Sequence, residues 1–389
     1  MLGAIIGDIV GSYYEVLEME ALKDHQKQKR SYEERIKILD SKTPLFLEKS
    51  SYTDDTVLTC AIANSLLQNE DYEKNLRYFG LKEINKGLDK YGRYPFGAGF
   101  IKWVKDEKIG DSYGNGGAMR ISPVAYFAQD LEDVLLETEK ATKPSHNTEE
   151  AIKGAQAVST AIYLALNHHG KEEIEKTISE LFAYDLHFDL SDLQHNYKFT
   201  ARTCNSVPQA IYCFLISNSF EDALRKSISI GGDSDTIAAI ACAISEAYYG
   251  IPENLKSQAY TYLPKEYRQI VENFYEELTL IKALNEVNIN DKSFLKYMRQ
   301  NCKKYNLPKE TGLWGCFINK DQNDIITGVR IIVPNIINTD TLLINIHEYT
   351  HAYEIYKRIG EKDNLNQEQE ETKARQNEAL YLKKIINQN

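Results

Sequence analysis

The side chains best equipped for chemistry fall in two oxygen-rich knots far apart in the sequence, Thr53-Asp54-Asp55-Thr56 and Asp233-Ser234-Asp235-Thr236. Each stands directly before an apolar helical run, residues 57–67 and 237–249, and the second follows Gly231-Gly232, where the backbone can turn tightly. A single Asp or Thr at such a place reads as an N-cap for orphan helix amides. Capping needs one such residue per helix, and here several crowd each start. The four carboxylates therefore form a donor set suited to hard divalent cations, which can acidify a bound water.

A second chemistry is written in His347-Glu348-Tyr349-Thr350-His351, inside the apolar helical run 341–359. On a helix, His-Glu-x-x-His projects two imidazoles from one face, one turn apart. That geometry suits two nitrogens on one zinc ion, with Glu348 placed to activate a water. The structural alternative is a degenerate domain whose helix carries satisfied surface histidines.

These groups need elements to position them. At the N-terminus Gly3, Gly7 and Gly11 recur on one helical face, where they let another helix or a ligand come close. Each interior glycine costs about 1 kcal/mol relative to alanine, so three imply a packing or ligand reason. Asp8 and Glu15 lie near one face of the same run. Residues 18–48 are charged without sustained periodicity and read as a surface loop with short helical pieces, and a helix is expected over 72–91. Aromatic residues and helix breakers alternate in Tyr91-Gly92-Arg93-Tyr94-Pro95-Phe96-Gly97-Ala98-Gly99-Phe100, ahead of an amphipathic run through Trp103; such rings stack a base or ribose, or pack a core. Ser112-Tyr113-Gly114-Asn115-Gly116-Gly117-Ala118-Met119-Arg120 is a glycine-rich turn entering a helix, which exposes amides to an anion but lacks P-loop or Rossmann context. Ser145-His146 precedes the small-residue helix 149–166, and His146 is either a cap neighbour or a ligand contact.

Periodicity is helical nearly throughout 57–284, which predicts an all-helical core without internal repeats. The polar stretch 285–291 reads as a junction. Beyond it, strand-like segments at 314–318 and 325–333 precede the helix 341–359 and an acidic helix. Two domains are expected, 1–284 and 292–389. With 42% hydrophobic and 26% charged residues, the 389-residue chain is globular and core-forming. A net charge of -11 argues against nucleic acid or an anionic membrane as partner, yet permits an anionic ligand where metals and amides offset the charge. Six scattered cysteines without a paired framework suggest reduced thiols and a cytoplasmic location. The N-terminal apolar stretch is short and interrupted by Asp8, so neither a signal peptide nor a membrane span is expected.

Gly7-Asp8-Ile9-Val10-Gly11 with Glu15, the Thr53 knot, Gly114 to Arg120, Ser145-His146 and Gly231 to Thr236 occur in the order and approximate spacing of one family. Over about residues 1–265 the chain resembles the ADP-ribosylglycohydrolases, the type that includes dinitrogenase reductase-activating glycohydrolase. The resemblance implies an all-helical domain with two magnesium or manganese ions in a cleft, and removal of ADP-ribose from a modified protein side chain or related conjugate. It assigns Thr53, Asp54, Asp55, Asp233, Asp235 and Thr236 to the metals, and Glu15 to acid/base chemistry or gating. Gly114, Asn115, Gly116, Gly117, Ala118, Met119, Ser145 and His146 would line the ADP-ribose channel. Ile9-Val10 and Ser234 depart from the family's common residues without touching an expected oxygen ligand, while the bulky Ser12-Tyr13-Tyr14 leaves the preferred leaving group open. Glycosidic cleavage passes through an oxocarbenium-like state and needs the departing atom protonated. Asp54 or Asp55 is expected to orient the water, and Glu15 to assist proton transfer.

The C-terminal segment resembles small gluzincin-type metallopeptidase domains, α+β in fold, whose third zinc ligand is a glutamate on the next helix. Glu371 is the expected ligand beside His347 and His351, with Glu368 and Glu370 as rivals. Two functions follow for the whole chain: a glycohydrolase fused to a zinc metallopeptidase, or a zinc peptidase whose non-catalytic helical domain recognises an ADP-ribosylated client. A third reading, a non-catalytic helical relative retained for binding or structure, conflicts with the intact ligand set.

Overall fold

The computed structural model describes residues 1–22, 24–88, 96–106, 110–305, 315–322, 325–334, 336, 339–359, 361 and 367–388. Residues 91–95 of the aromatic stretch, Trp314 at the head of the first expected strand and the side chain of Glu368 lie outside the described residues.

The first helices are α1 (Leu2–Ala21), α2 (His25–Lys37), α3 (Asp54–Gln68), α4 (Tyr72–Lys86), α5 (Ala98–Lys105), α6 (Gly116–Met119), α7 (Ser122–Phe127) and α8 (Leu131–Thr142). They are followed by α9 (Glu149–Leu166), α10 (Lys171–Phe182), α11 (Leu190–Asn196), α12 (Thr203–Leu215), α13 (Phe220–Ser229), α14 (Ser234–Tyr249), α15 (Glu253–Tyr262) and α16 (Lys265–Glu286). The chain closes with α17 (Lys292–Asn301), β1 (Cys302–Tyr305), β2 (Gly315–Lys320), β3 (Ile326–Pro334), α18 (Thr339–Tyr356) and α19 (Gln367–Gln388). Two compact units result: Met1–Leu66 with Glu70–Val271, and Leu67–Asn69 with Glu272–Asn389.

The first unit is built around α14. Every residue of this helix from Ser234 to Ser245 is buried. A helix apolar on all sides must be surrounded, and α1, α9, α12 and α13 pack around it. The approach of α1 depends on its glycine stripe. A Cβ on Gly7 would sit 2.5 Å from the Ala239 nitrogen and closer still to the Ala238 carbonyl, and one on Gly11 would sit 2.5 Å from the Asp235 Cα. The stripe is therefore a helix crossing, and it carries Asp8 and Glu15 to the start of α14.

α2 and the extension of α1 to Ala21 replace much of the loop expected over 18–48. No apolar stripe announces α2, because it is held by one buried cation. The Arg35 guanidinium donates to the carbonyls of Ser229 and Gln194 at 2.5 Å each, and its Nε lies 3.3 Å from Glu18. Among the described residues the first unit holds helices, turns and isolated bridges, without a strand.

In the second unit β3 is the central strand, parallel to β1 and antiparallel to β2. Its Ile326, Val329, Ile331 and Val333 join Phe294 and Met298 of α17 and Ile346, Tyr349 and Ala352 of α18 in one core. β1, Cys-Lys-Lys-Tyr, has a charged and short sequence without strand periodicity, and only the pairing with β3 makes it a strand. No helix among the described residues is long and apolar enough to cross a membrane. All six cysteines are free thiols.

Candidate metal centre and cleft

The start of α3 is capped by a residue of α1. Asp8, fully buried, accepts the Thr53 N–H at 2.9 Å, the Thr53 hydroxyl at 2.7 Å, the Thr56 N–H at 3.0 Å and the Thr56 hydroxyl at 2.5 Å. With the helix amides satisfied from outside, Asp54 and Asp55 are relieved of capping. Asp55 Oδ1 is buried with no hydrogen-bond partner.

Across from α3, positive φ at Gly231 and Gly232 turns the chain into α14, a conformation that L side chains rarely adopt. Asp233, at the N-cap position, makes no capping bond with its side chain. Its Oδ2 accepts instead from the Asn115 amide at 2.7 Å. Asp235 Oδ1 accepts the Thr236 N–H at 2.8 Å, and the Thr236 hydroxyl donates to Asp55 Oδ2 at 3.3 Å.

The result is two overlapping carboxylate triads, Asp8–Asp55–Asp235 and Glu15–Asp233–Asp235. Within each, one oxygen per residue lies within 4.8 Å of the others. Asp235 belongs to both. Burial, followed by neighbouring carboxylates, raises the whole set: Asp8 to about 7, and Glu15, Asp54 and Asp55 well above their ordinary values. Burial and the charge of Asp233 carry Asp235 to about 8, and burial raises Asp233 as well. Buried Arg120, whose own pKa burial lowers to about 9, acts on Asp54 from within the protein. Such a concentration of desolvated carboxylates calls for protons or cations. The hard oxygen donors and the orphaned Asp55 oxygen fit divalent metal ions.

The centre lies in a cleft of about 1970 Å³ lined also by Thr53, Gly114, Asn115, Gly116, Met119, Ser145 and His146. Gly117 and Ala118 do not line it. They are buried behind the loop, and a Cβ on Gly117 would meet Thr142 at 2.7 Å. Gly116 makes room for the His146 ring, since a Cβ there would lie 2.9 Å from Nε2. Ser145 Oγ links His146 Nδ1 at 2.7 Å to the Arg120 guanidinium at 2.8 Å, and burial holds the His146 pKa well below its ordinary value. Phe96, Phe100 and Trp103 form one wall, with Phe96 and Phe100 stacked at 4.8 Å and Arg77 lying 4.2 Å from the centroid of the Trp103 ring. Those rings thus pack on one another and face the cleft as well.

Asp8 and Arg120 stand inside the quoted motifs but carry no role in the sequence reading, and the structure makes both members of this network. The signal for Asp8 was its spacing from Glu15 on a glycine-striped helix, and for Arg120 its place at the end of the glycine loop.

The second unit gathers a separate set. His347 and His351 of α18 bring their Nε2 atoms 3.1 Å apart, and Glu371 Oε2 of α19 lies 3.3 and 3.2 Å from them. Glu371 is thus the one of the three candidate glutamates that meets the histidines among the described residues. Burial raises the neighbouring Glu348 carboxyl.

The first unit is thus an all-helical body in which two carboxylate triads share Asp235 beside a cleft, a donor set that could hold divalent cations. The model of the ADP-ribosylglycohydrolase family matches residues 1–287, and the chain belongs to that family. Mouse (Mus musculus) "ADP-ribosylhydrolase ARH3" is 28% identical over 352 residues, covering 74% of this chain and 90% of the relative. The "ADP-ribosylarginine hydrolase Tri1" of Pseudomonas putida (strain GB-1) is 23% identical over 272 residues, covering 64% of this chain and 70% of the relative. A solved "ADP-ribosylglycohydrolase-related protein complex" superposes with a TM-score of 0.48 at 20% identity, over 70% of this chain and 94% of that one.

Proposed function

We propose that residues 1–284 hydrolyse the glycosidic bond between ADP-ribose and a modified protein side chain or related conjugate. The observation that carries this reading is the pair of carboxylate triads sharing Asp235, of which Glu15, Asp55, Asp233 and Asp235 line the cleft. The names of the mouse and Pseudomonas relatives support the substrate class.

Asp54, Asp55, Asp233 and Asp235, with the Thr53 and Thr236 hydroxyls, hold two magnesium or manganese ions. When bound, these ions supply Lewis acidity and a grip on the ribose hydroxyls. Asp8 joins them through its triad with Asp55 and Asp235. Asp54 or Asp55 orients the water that attacks the anomeric carbon. As the bond from that carbon to the departing atom breaks, the electron pair leaves with that atom, and Glu15 serves the proton transfer that neutralises it. The loop from Gly114 to Met119, with Ser145 and neutral His146, orients the ADP-ribose, and the wall of Phe96, Phe100 and Trp103 offers a face for a base. Asp235→Asn, assayed with magnesium for ADP-ribose release and for metal binding, tests the assignment: loss of both with the helical fold retained is expected, and full turnover contradicts it.

The set of His347, His351 and Glu371 favours a second activity in residues 292–389. These side chains bind one zinc ion, with Glu348 as general base of a metallopeptidase. A bound zinc ion would supply Lewis acidity, and Glu348 would take a proton from the attacking water and pass it to the departing amine nitrogen as the C–N bond breaks. The alternative for the whole chain is a zinc peptidase whose helical unit binds ADP-ribose without cleaving it. Peptide cleavage by the intact chain and by Glu348→Gln tests the module. Equal cleavage by both would remove Glu348 from the mechanism.

A further inference from the structure

Glu378 is a carboxylate for which the zinc reading has no task. It lies seven residues after Glu371 on α19, two helical turns further along the same face. Between them Ala374 is fully buried, and Asn377 donates its amide to the Thr350 hydroxyl of α18 at 3.1 Å. That hydrogen bond pins α19 to α18 between the two glutamates. Glu371 Oε2 meets the Nε2 atoms of both histidines, while Glu378 Oε1 lies 3.1 Å from Nδ1 of His347. The two carboxylates thus face opposite nitrogens of one ring.

A neutral imidazole donates from one nitrogen and presents a lone pair from the other, and an ionised carboxylate only accepts. Glu378 therefore keeps the proton on Nδ1 and leaves the Nε2 lone pair directed at the point shared with His351 and Glu371. Glu371 is oriented in the same manner, since Arg375 Nε donates to its other oxygen, Oε1, at 2.7 Å.

We propose that Glu378 is the outer carboxylate of the C-terminal zinc site, a positioning residue that sets the tautomer and ring orientation of His347 without touching the metal. This inference rests on the reading of His347, His351 and Glu371 as zinc ligands.

The test is a zinc titration of the chelator-treated full chain in excess magnesium, in competition with a chromogenic chelator, using the native chain and His351→Ala, Glu378→Ala and Glu378→Gln. The native chain is expected to take up one zinc equivalent that His351→Ala lacks. Glu378→Ala keeps that equivalent with affinity weakened about 10- to 100-fold, and Glu378→Gln recovers most of it, because the amide oxygen also accepts from Nδ1–H. With cobalt in place of zinc, the visible absorption bands shift in Glu378→Ala and return toward the native position in Glu378→Gln. Unchanged affinity in Glu378→Ala overturns the role of Glu378 while leaving the zinc site standing. Complete loss of the equivalent in folded Glu378→Ala and Glu378→Gln alike makes Glu378 a ligand and overturns the positioning role. Absence of any His351-dependent zinc in the native chain overturns the zinc reading itself.

Discussion

Asp8 of α1 caps α3 through Thr56: its Oδ2 accepts both the Thr56 N–H at 3.0 Å and the Thr56 hydroxyl at 2.5 Å. A single side chain therefore links the helix crossing to the carboxylate triads. Asp8→Ala removes the cap, worth about 1–2 kcal/mol, and one carboxylate of the Asp8–Asp55–Asp235 triad. The expected outcome is a lower unfolding midpoint in magnesium and at least about 10-fold weaker metal binding, read by urea denaturation and calorimetric titration. Native metal affinity in this variant would confine Asp8 to capping.

Gly7→Ala tests the crossing that delivers Asp8. The added methyl collides with the backbone of Ala238 and Ala239, which cannot rotate away. A loss of about 1–3 kcal/mol is expected, with weaker metal binding as α1 moves off α14. Gly99→Ala is the control, because a Cβ there meets nothing within 4 Å. It should be neutral or stabilising by up to about 1 kcal/mol.

Asn115 divides its amide between Asp233 Oδ2 at 2.7 Å and Ser206 Oγ at 3.1 Å. Its first effect should therefore fall on the proposed metal ligands. Asn115→Ala is expected to weaken metal affinity about 10-fold, and Asn115→Asp more, because a like charge then faces Asp233. Metal titration separates this from a pure KM effect, which direct substrate contact alone would give.

The carboxylate cluster sets a pH dependence for chelator-treated protein. Asp8 and Asp235 titrate near 7 and 8 in the folded chain and near 3.8 when unfolded, so the folded state binds more protons between those limits. Their contribution is fully present below about pH 4 and is lost as pH rises through 7 to 8. Thermal melts in chelator should show this decline, and magnesium should restore stability most at the upper end. A flat profile in chelator would mean that the cluster is solvated.

Contiguous chemistry was legible in the sequence. Thr53 to Thr56, Gly231 to Thr236 and His347 to His351 each carry donor atoms at fixed helical spacing, and the glycine stripe announced a close approach. What depended on tertiary partners was hidden. Asp8 looks like an isolated acid until α3 is placed beside it, and α2 lacks a hydrophobic stripe because Arg35 anchors it. β1 is a strand only through β3. The sequence alone presents the glycine loop as uniformly facing a ligand, yet Gly117 packs on Thr142, since one helical turn sets Gly116 and Met119 toward the cleft and Gly117 and Ala118 away from it.

The most direct test of the central claim is release of free ADP-ribose from an arginine-ADP-ribosylated protein and from a serine-ADP-ribosylated peptide, with magnesium and with chelator. The native chain is measured beside Asp54→Ala and Asp235→Ala. Release from either substrate that requires magnesium and both aspartates is the predicted result, and the substrate that responds identifies the linkage. Release that persists in chelator or in both variants would contradict a hydrolase centred on Asp235.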